Sequence, residues 1–265
     1  MANLSIEPNP SPLVTIAHED ADVLVVLKPP HMVTTPGKGH EHDTLLNALF
    51  ALHGPRLQNI GRERDFGLLH RLDRQTSGLL LVALTKSAYD HLRAQFEARA
   101  IRKFYWAIVQ GVPDPKKGVI DRPIRESLER TGKYASKKVA GVSRAAGRHG
   151  ASGPPKAAIT AFRVVSEPGR AVPGRPGASV VECRPVTGRL HQIRVHMALI
   201  GHPVLGDKEY AQGPGASACP RLALHAHRLE FTHPVSGAVI DVRSEFPSDL
   251  RATLRSLALP VPRKE

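Results

Sequence analysis

The pattern of apolar and polar positions marks out strands first. LVTIA at 13–17 and VLVVLK at 23–28 are apolar runs split by the acidic stretch HEDAD, and they read as a β-hairpin ended by Pro29-Pro30. GLLHRLDRQTSGLLLVALT at 67–85 holds two more apolar runs, each read as a buried strand, with HRLDRQTSG wedged between them. KFYWAIVQG at 103–111, AAITAFRVV at 157–165 and SVVECRPV at 179–186 follow, and RLALHAHRLEFT with AVIDVRS forms a closing pair at 221–232 and 238–244. Helical spacing interrupts the strands. DTLLNALFALHG at 43–54 groups Leu45, Leu46, Leu49 and Leu52 between an Asp43 cap and a Gly54 stop, and KSAYDHLRAQFEAR puts Tyr89, Leu92 and Phe96 on one face behind a Thr85 N-cap. LHQIRVHMALIG reads as an apolar helix ending at Gly201, and SDLRATLRSLAL as a terminal helix. Strands outnumber helices, and the gaps are mostly too short for a regular βαβ succession. The expected fold is therefore α+β, a mixed, mainly antiparallel sheet flanked by helices and loops.

Charge changes the picture more than composition does. The 265 residues carry 37 Lys and Arg against 24 Asp and Glu, a formal charge of +13 and a pI near 10.2. That excess is the footprint of a chain that meets phosphates, which puts nucleic acid first among partners. A membrane is excluded as the target: runs such as LLLVAL at 79–84 fall far short of a spanning helix, and no basic amphipathic segment stands out. The start MANLSIEPNPSPL lacks a signal peptide's regions, and Cys183 and Cys219 are too few for a disulfide framework or a cysteine zinc site. A soluble cytoplasmic protein is expected. Residues 1–12 are polar and proline-rich and are expected to fray. The segment from Arg130 to Lys156 carries seven Lys or Arg and no acid, and reads as a flexible basic insertion able to supply phosphate contacts.

HRLDRQTSG invites a chemical reading. A polar turn accounts for Asp73, Ser77 and Gly78, but it needs no Arg71 inside the apolar run. A carboxylate flanked by Arg71 and Arg74 is expected to stay ionised, below the reference pKa of about 3.9. It suits a nucleophile, or the stabiliser of a developing cation, better than a general acid.

HRLDRQTSG resembles the HRLDxxTSG motif of the RluA-type pseudouridine synthases, and four further stretches agree with that family in the same order. VLKPPHMVTTPG looks like its lysine-proline entry loop, and RKFYWAIVQG is similar to its tyrosine strand. TGRLHQIRVHMALIGHPVLGD matches its TGRxHQIRVH segment, and RLALHAHRLEFTHP its closing histidine-containing strand. The resemblance spans about residues 13 to 245. It implies a pseudouridine synthase fold with a central active-site cleft, and isomerisation of uridine in ribosomal or transfer RNA without a cofactor or metal. It leads us to expect one catalytic domain over 13–250, a helix or tail over 251–265, no appended N-terminal domain of the S4 kind, and a monomer with no obligatory protein partner.

By motif position, Asp73 is then the catalytic carboxylate, Tyr105 the aromatic residue and Arg194 the basic partner of the aspartate. Arg71 is implied to enter the space left by the extruded nucleotide, and Arg74, Lys28, His191 and Gln192 are further candidates for RNA contact. Apart from the resemblance, Tyr105 reads as one core aromatic of a strand and Arg194 as a charge on a helix. Pro30 and His31 depart from the pattern, because the family usually has a small residue and glycine there. Two other functions remain open. One is a silent RNA-binding module of the same fold. The other is a metal-dependent RNA hydrolase built on the histidines of HEH at 40–42, HQIRVH and HAH, whose spacings match neither HExxH nor a zinc finger.

Overall fold

The computed structural model describes residues 4–61, 65–131, 134–142, 154–169, 177–217 and 219–262. The chain runs through β1 (Thr15–Glu19), β2 (Val23–Lys28), α1 (Leu45–Leu57), β3 (Ser77–Ala83), α2 (Lys86–Glu97) and β4 (Arg102–Gln110). It continues through β5 (Lys117–Asp121), β6 (Ile124–Thr131), β7 (Tyr134–Val142), β8 (Ile159–Ser166), β9 (Ala178–Pro185) and α3 (Gln192–Leu199). The last elements are α4 (Pro214–Ser217), β10 (Leu224–Thr232), β11 (Val239–Arg243) and α5 (Ser248–Ser256). The strand pairs with a described register are antiparallel, so the expected α+β class holds. The chain forms two compact units, Met1–Lys103 with Ala226–Glu245, and Phe104–His225 with Phe246–Glu265.

In the first unit, β2 lies between β1 and β3, β3 is followed by β10, and β11 pairs with β10. β3 is buried along its whole length and β2 nearly so. Burial on both faces is why their sequences are continuous apolar runs with no alternation. Gly78 opens β3 at φ +126, where an added Cβ would lie 2.3 Å from the Ala226 carbonyl oxygen of β10, so the close strand approach requires glycine. The other apolar run, at 67–69, is not a strand. Leu68 makes only an isolated bridge to Val82, because the run has only two apolar side chains before His70.

α1 starts at Thr44, not at Asp43: the Thr44 hydroxyl accepts from the Asn47 N–H while the Asn47 side chain accepts from the Thr44 N–H. The first helical segment breaks at His53, one residue before the expected Gly54 stop. The helix resumes with Pro55 in the first turn of its second segment, where proline is tolerated, and Leu52 points outward at 51% exposure. Residues expected to fray are tied to this helix. Ser5 N–H donates to Gln58 Oε1 (2.9 Å), Asn9 N–H to the Asn47 carbonyl (3.0 Å), and Asn47 Nδ2 to the Glu7 carbonyl (2.8 Å). α2 is capped by Thr85 and buries Tyr89 and Leu92, as its spacing implies.

In the second unit the strand order is β4-β9-β8-β5. Trp106 of β4 stacks on Phe246 with centroids 4.9 Å apart, and α5 buries Leu250, Thr253 and Leu254. Both cysteines are here and buried: burial drives the Cys183 thiol pKa far up, and Cys219 Sγ lies 3.4 Å from Thr253 Oγ1. β6 and β7 form a separate two-stranded ribbon closed by the pair Thr131 and Tyr134. This corrects the flexible loop expected over 130–156, since residues 130–131 and 134–142 belong to a regular ladder. Backbone pairing makes little demand on composition, so a run of Lys, Gly and Ala does not exclude a strand. Residues 143–153 of that segment lie outside the described residues. No helix among the described residues is long and apolar enough to cross a membrane.

Candidate active site

The first unit holds the HRLD loop. Asp73 is half-buried, while Arg71 and Arg74 on either side of it are exposed. The backbone around the carboxylate is held on both sides. Thr34 Oγ1 donates to the Leu72 carbonyl at 2.9 Å, Lys28 Nζ donates to the Arg74 carbonyl at 3.3 Å, and the Asp73 carbonyl accepts from Thr76 N–H at 3.0 Å. The aspartate thus sits at the start of a tight turn whose neighbouring peptides are anchored to the loop after β2. Pro30 and His31, which depart from the family pattern, lie in that loop. His31 takes φ +67, the left-handed backbone that glycine adopts most readily, and its carbonyl accepts from Arg74 Nε at 3.2 Å.

Lys28, assigned from the sequence to RNA contact, is fully buried. Its ammonium donates to the Pro29 and Met32 carbonyls, both at 2.8 Å, as well as to Arg74. Three carbonyl dipoles make the burial of this charge tolerable, and its task is to join the two loops.

The second unit holds the other candidates. Tyr105 is buried in β4, opposite Cys183 of β9. Arg194 is buried in α3 and binds Asp207 through two bonds, Nε to Oδ2 at 2.7 Å and Nη2 to Oδ1 at 2.9 Å. Nη2 also reaches Glu209 Oε1 at 2.9 Å, and the guanidinium lies over the Tyr210 ring, 5.0 Å from its centroid. Burial alone would raise the Asp207 pKa. The Arg194 bonds and charge, with the backbone N–H groups of Glu209 and Tyr210, outweigh that and hold it below the usual carboxylate value. His191 precedes α3 at φ +53, and its Nδ1 lies 2.9 Å from the Tyr210 hydroxyl. Asp207, Glu209 and Tyr210 were not singled out from the sequence, although Asp207 ends the matched TGRLHQIRVHMALIGHPVLGD stretch.

Gln192 also leaves the RNA-contact set, being 4% exposed. Its Nε2 donates to the Ile159 carbonyl and Thr160 Oγ1, both at 2.9 Å, and its Oε1 accepts from Thr187 Oγ1 (2.7 Å) and Arg189 N–H (3.0 Å). Four bonds to two chain segments, 159–160 and 187–189, make it a bracket for α3. Gln192→Ala is expected to lower stability by about 1–3 kcal/mol, through the buried groups it leaves unsatisfied, while RNA affinity stays within threefold. Urea denaturation and filter binding check this together. Lost affinity at full stability would restore the RNA-contact role.

Asp20, Asp22 and His233 offer atoms within 4.8 Å of one another, the one such group of possible metal ligands among the described residues. They already engage one another or a neighbour: His233 Nε2 lies 3.1 Å from Asp20 Oδ2, and Asp22 Oδ1 accepts from Thr85 Oγ1 at 3.0 Å. None of the histidines in HEH, HQIRVH or HAH contributes.

Comparison with known proteins agrees with the motifs. Residues 22–199 match the family model for RNA pseudouridylate synthase. The ribosomal large subunit pseudouridine synthase D of Zymomonas mobilis subsp. mobilis is 39% identical over 261 residues, which cover 96% of this chain and 75% of that protein. The protein of the same name from Nitrosomonas europaea is 37% identical, with 91% of this chain and 64% of that protein covered, so the chain spans roughly two thirds to three quarters of these relatives. Among solved structures, human RNA pseudouridylate synthase domain containing 1 is similar at a TM-score of 0.69 and 27% identity, covering 98% of this chain and 94% of the other. Human RNA pseudouridylate synthase domain containing 4 is similar at 0.68 and 26%, covering 94% and 95%. With a family model matched over most of its length and relatives above one-third identity, the chain belongs to the RNA pseudouridylate synthase family.

Proposed function

We propose that this chain isomerises uridine to pseudouridine in structured RNA, with Asp73 as the nucleophile and large-subunit ribosomal RNA as the substrate. The single observation that carries the reading is the build of the HRLD loop: a half-buried carboxylate between two exposed arginines, on a turn whose backbone is anchored on both sides. Such anchoring holds a reactive group in place before substrate arrives. The substrate is inferred from the relatives, which are ribosomal large subunit pseudouridine synthases by name.

The reaction breaks the bond between N1 and C1′ and forms one between C5 and C1′. As uracil departs, positive charge grows on the ribose, and the Asp73 carboxylate captures or stabilises it, the logic of a glycosidase nucleophile. The detached ring turns to present C5, the new bond forms, the C5 proton leaves and N1 gains one. Atoms and electrons balance within the substrate, so the step calls for neither an oxidant nor a reductant. Motif position gives Tyr105 the role of aromatic wall for the ring and Arg194 that of the arginine that orients the nucleophile. In support of these roles, both are buried and firmly held, Tyr105 in a strand and Arg194 in its bidentate pair. Arg71, exposed beside Asp73, is assigned to the space vacated by the extruded nucleotide, and Arg74 and His191 to RNA contact.

Release of tritium from ribosomal RNA labelled at uridine C5 tests the reaction, and mapping pseudouridines in cells with and without the gene tests the substrate. The expected result is tritium release with RNA length unchanged and the loss of one or more large-subunit sites. Shortened RNA would overturn the reaction. Loss of transfer RNA sites alone would overturn the substrate.

A further inference from the structure

The segment that leads into the Asp73 loop is attached to β3 in an unusual way. Ala83 N–H donates to the Gly67 carbonyl at 2.9 Å. Two residues earlier on the same edge, Leu81 N–H donates to a side chain, His70 Nε2, at 3.0 Å. The chain then leaves for residues 71–76, carries Asp73, and re-enters β3 at Ser77. Both ends of the loop are therefore fastened to one strand, and at one end the fastener is an imidazole.

We propose that His70 is a positioning residue for Asp73, its neutral ring taking the place of a strand carbonyl and fixing where the nucleophile's loop begins. The proposal rests on the reading of Asp73 as nucleophile. The bond dictates the tautomer: Nε2 accepts, so the proton is on Nδ1. An imidazolium would turn N–H against the Leu81 N–H and release the loop. The surroundings oppose that protonation. The ring packs against Phe96 of α2 with centroids 5.3 Å apart, and Lys103 Nζ of β4 lies 5.2 Å from the centroid of that same Phe96 ring. From β3 the ring meets a backbone donor. Burial first, and the Lys103 charge second, lower the His70 pKa to about 3, while burial brings Lys103 itself down to about 8.

His70→Leu removes the acceptor, whereas His70→Gln offers a carbonyl at similar reach. Single-turnover rate at saturating RNA should fall about 30-fold or more in His70→Leu, the size of effect that loop misplacement produces, with RNA affinity within threefold. His70→Gln should recover to within about fivefold of the parent. In the parent protein, nitrogen NMR should show His70 neutral, with the proton on Nδ1, down to pH 5. In Lys103→Met its titration should move upward. A His70→Leu rate equal to the parent, a His70→Gln rate no better than His70→Leu, or a ring protonated at pH 6 would each overturn the proposal. Should His70→Leu not fold, the tautomer and the His70→Gln rate decide alone. Failure of the nucleophile reading is separable, because an active Asp73→Asn would overturn that reading while leaving the His70 tautomer as it is.

Discussion

Asp73→Asn is expected to lower the single-turnover rate of pseudouridine formation by about 10⁴-fold, while leaving folding and RNA affinity close to those of the parent. The exchange replaces one carboxylate oxygen with an amide nitrogen and removes the negative charge, so what is lost is transition-state stabilisation and nucleophilicity. The backbone bonds of the turn survive the exchange. The hydrogen bonds that shape the turn are made by backbone groups of Leu72, Asp73 and Arg74 and by Thr34 and Lys28, all of which the variant keeps. Rapid-quench tritium release, with equilibrium binding on the same preparations, measures both quantities. Residual turnover within tenfold of the parent would remove Asp73 from the nucleophile's role.

Asp207→Asn is expected to act on stability, at a cost of about 3 kcal/mol. Asp207 is fully buried and shares two hydrogen bonds with the buried Arg194. Removing one member of such a pair leaves the desolvated charge of the other poorly compensated, typically a loss of roughly 3–5 kcal/mol, and the carbonyl retained by asparagine moderates it. The pH dependence follows from the lowered pKa of Asp207. A carboxylate held below its unfolded value contributes fully above about pH 4, and the contribution disappears as pH falls through the folded value. The parent and Asp207→Asn should therefore differ most at neutral pH and converge on acidification. Urea titrations at pH 7 and pH 3 check this. A difference under 1 kcal/mol at pH 7 would mean that the Arg194 network orients side chains without stabilising the unit. The double variant Arg194→Met with Asp207→Leu should recover part of the loss, because apolar packing then replaces a paired charge.

These expectations draw unequally on the sequence. β2 and β3 were legible because burial on both faces leaves an uninterrupted apolar run, and the family was legible because the HRLD motif is local. Lys28 and Gln192 were misread for the converse reason. The lysine's carbonyl partners come from residues 29, 32 and 74, and the glutamine's from 159, 160, 187 and 189. A polar residue beside a catalytic motif looks like a ligand contact until the fold brings up the groups that satisfy it. Asp207 is separated from Arg194 by a helix and a turn, so nothing in its immediate neighbours marks it. The β6–β7 ribbon is not legible in a composition rich in Lys, Gly and Ser, although Tyr134 and Val139 are good strand formers.

The two cysteines of the chain, Cys183 and Cys219, both lie in the unit formed by Phe104–His225 and Phe246–Glu265, and both are buried. A maleimide or Ellman's reagent attacks thiolate that it can reach, and for Cys183 burial suppresses both conditions. Alkylation of the folded protein therefore proceeds only during excursions that open β9 or the packing around Thr253, and its rate is a clock for local opening. The other unit, which carries Asp73, contributes no signal. Native serine and threonine positions there are available for a second thiol, so that the opening of each half can be timed separately in one molecule.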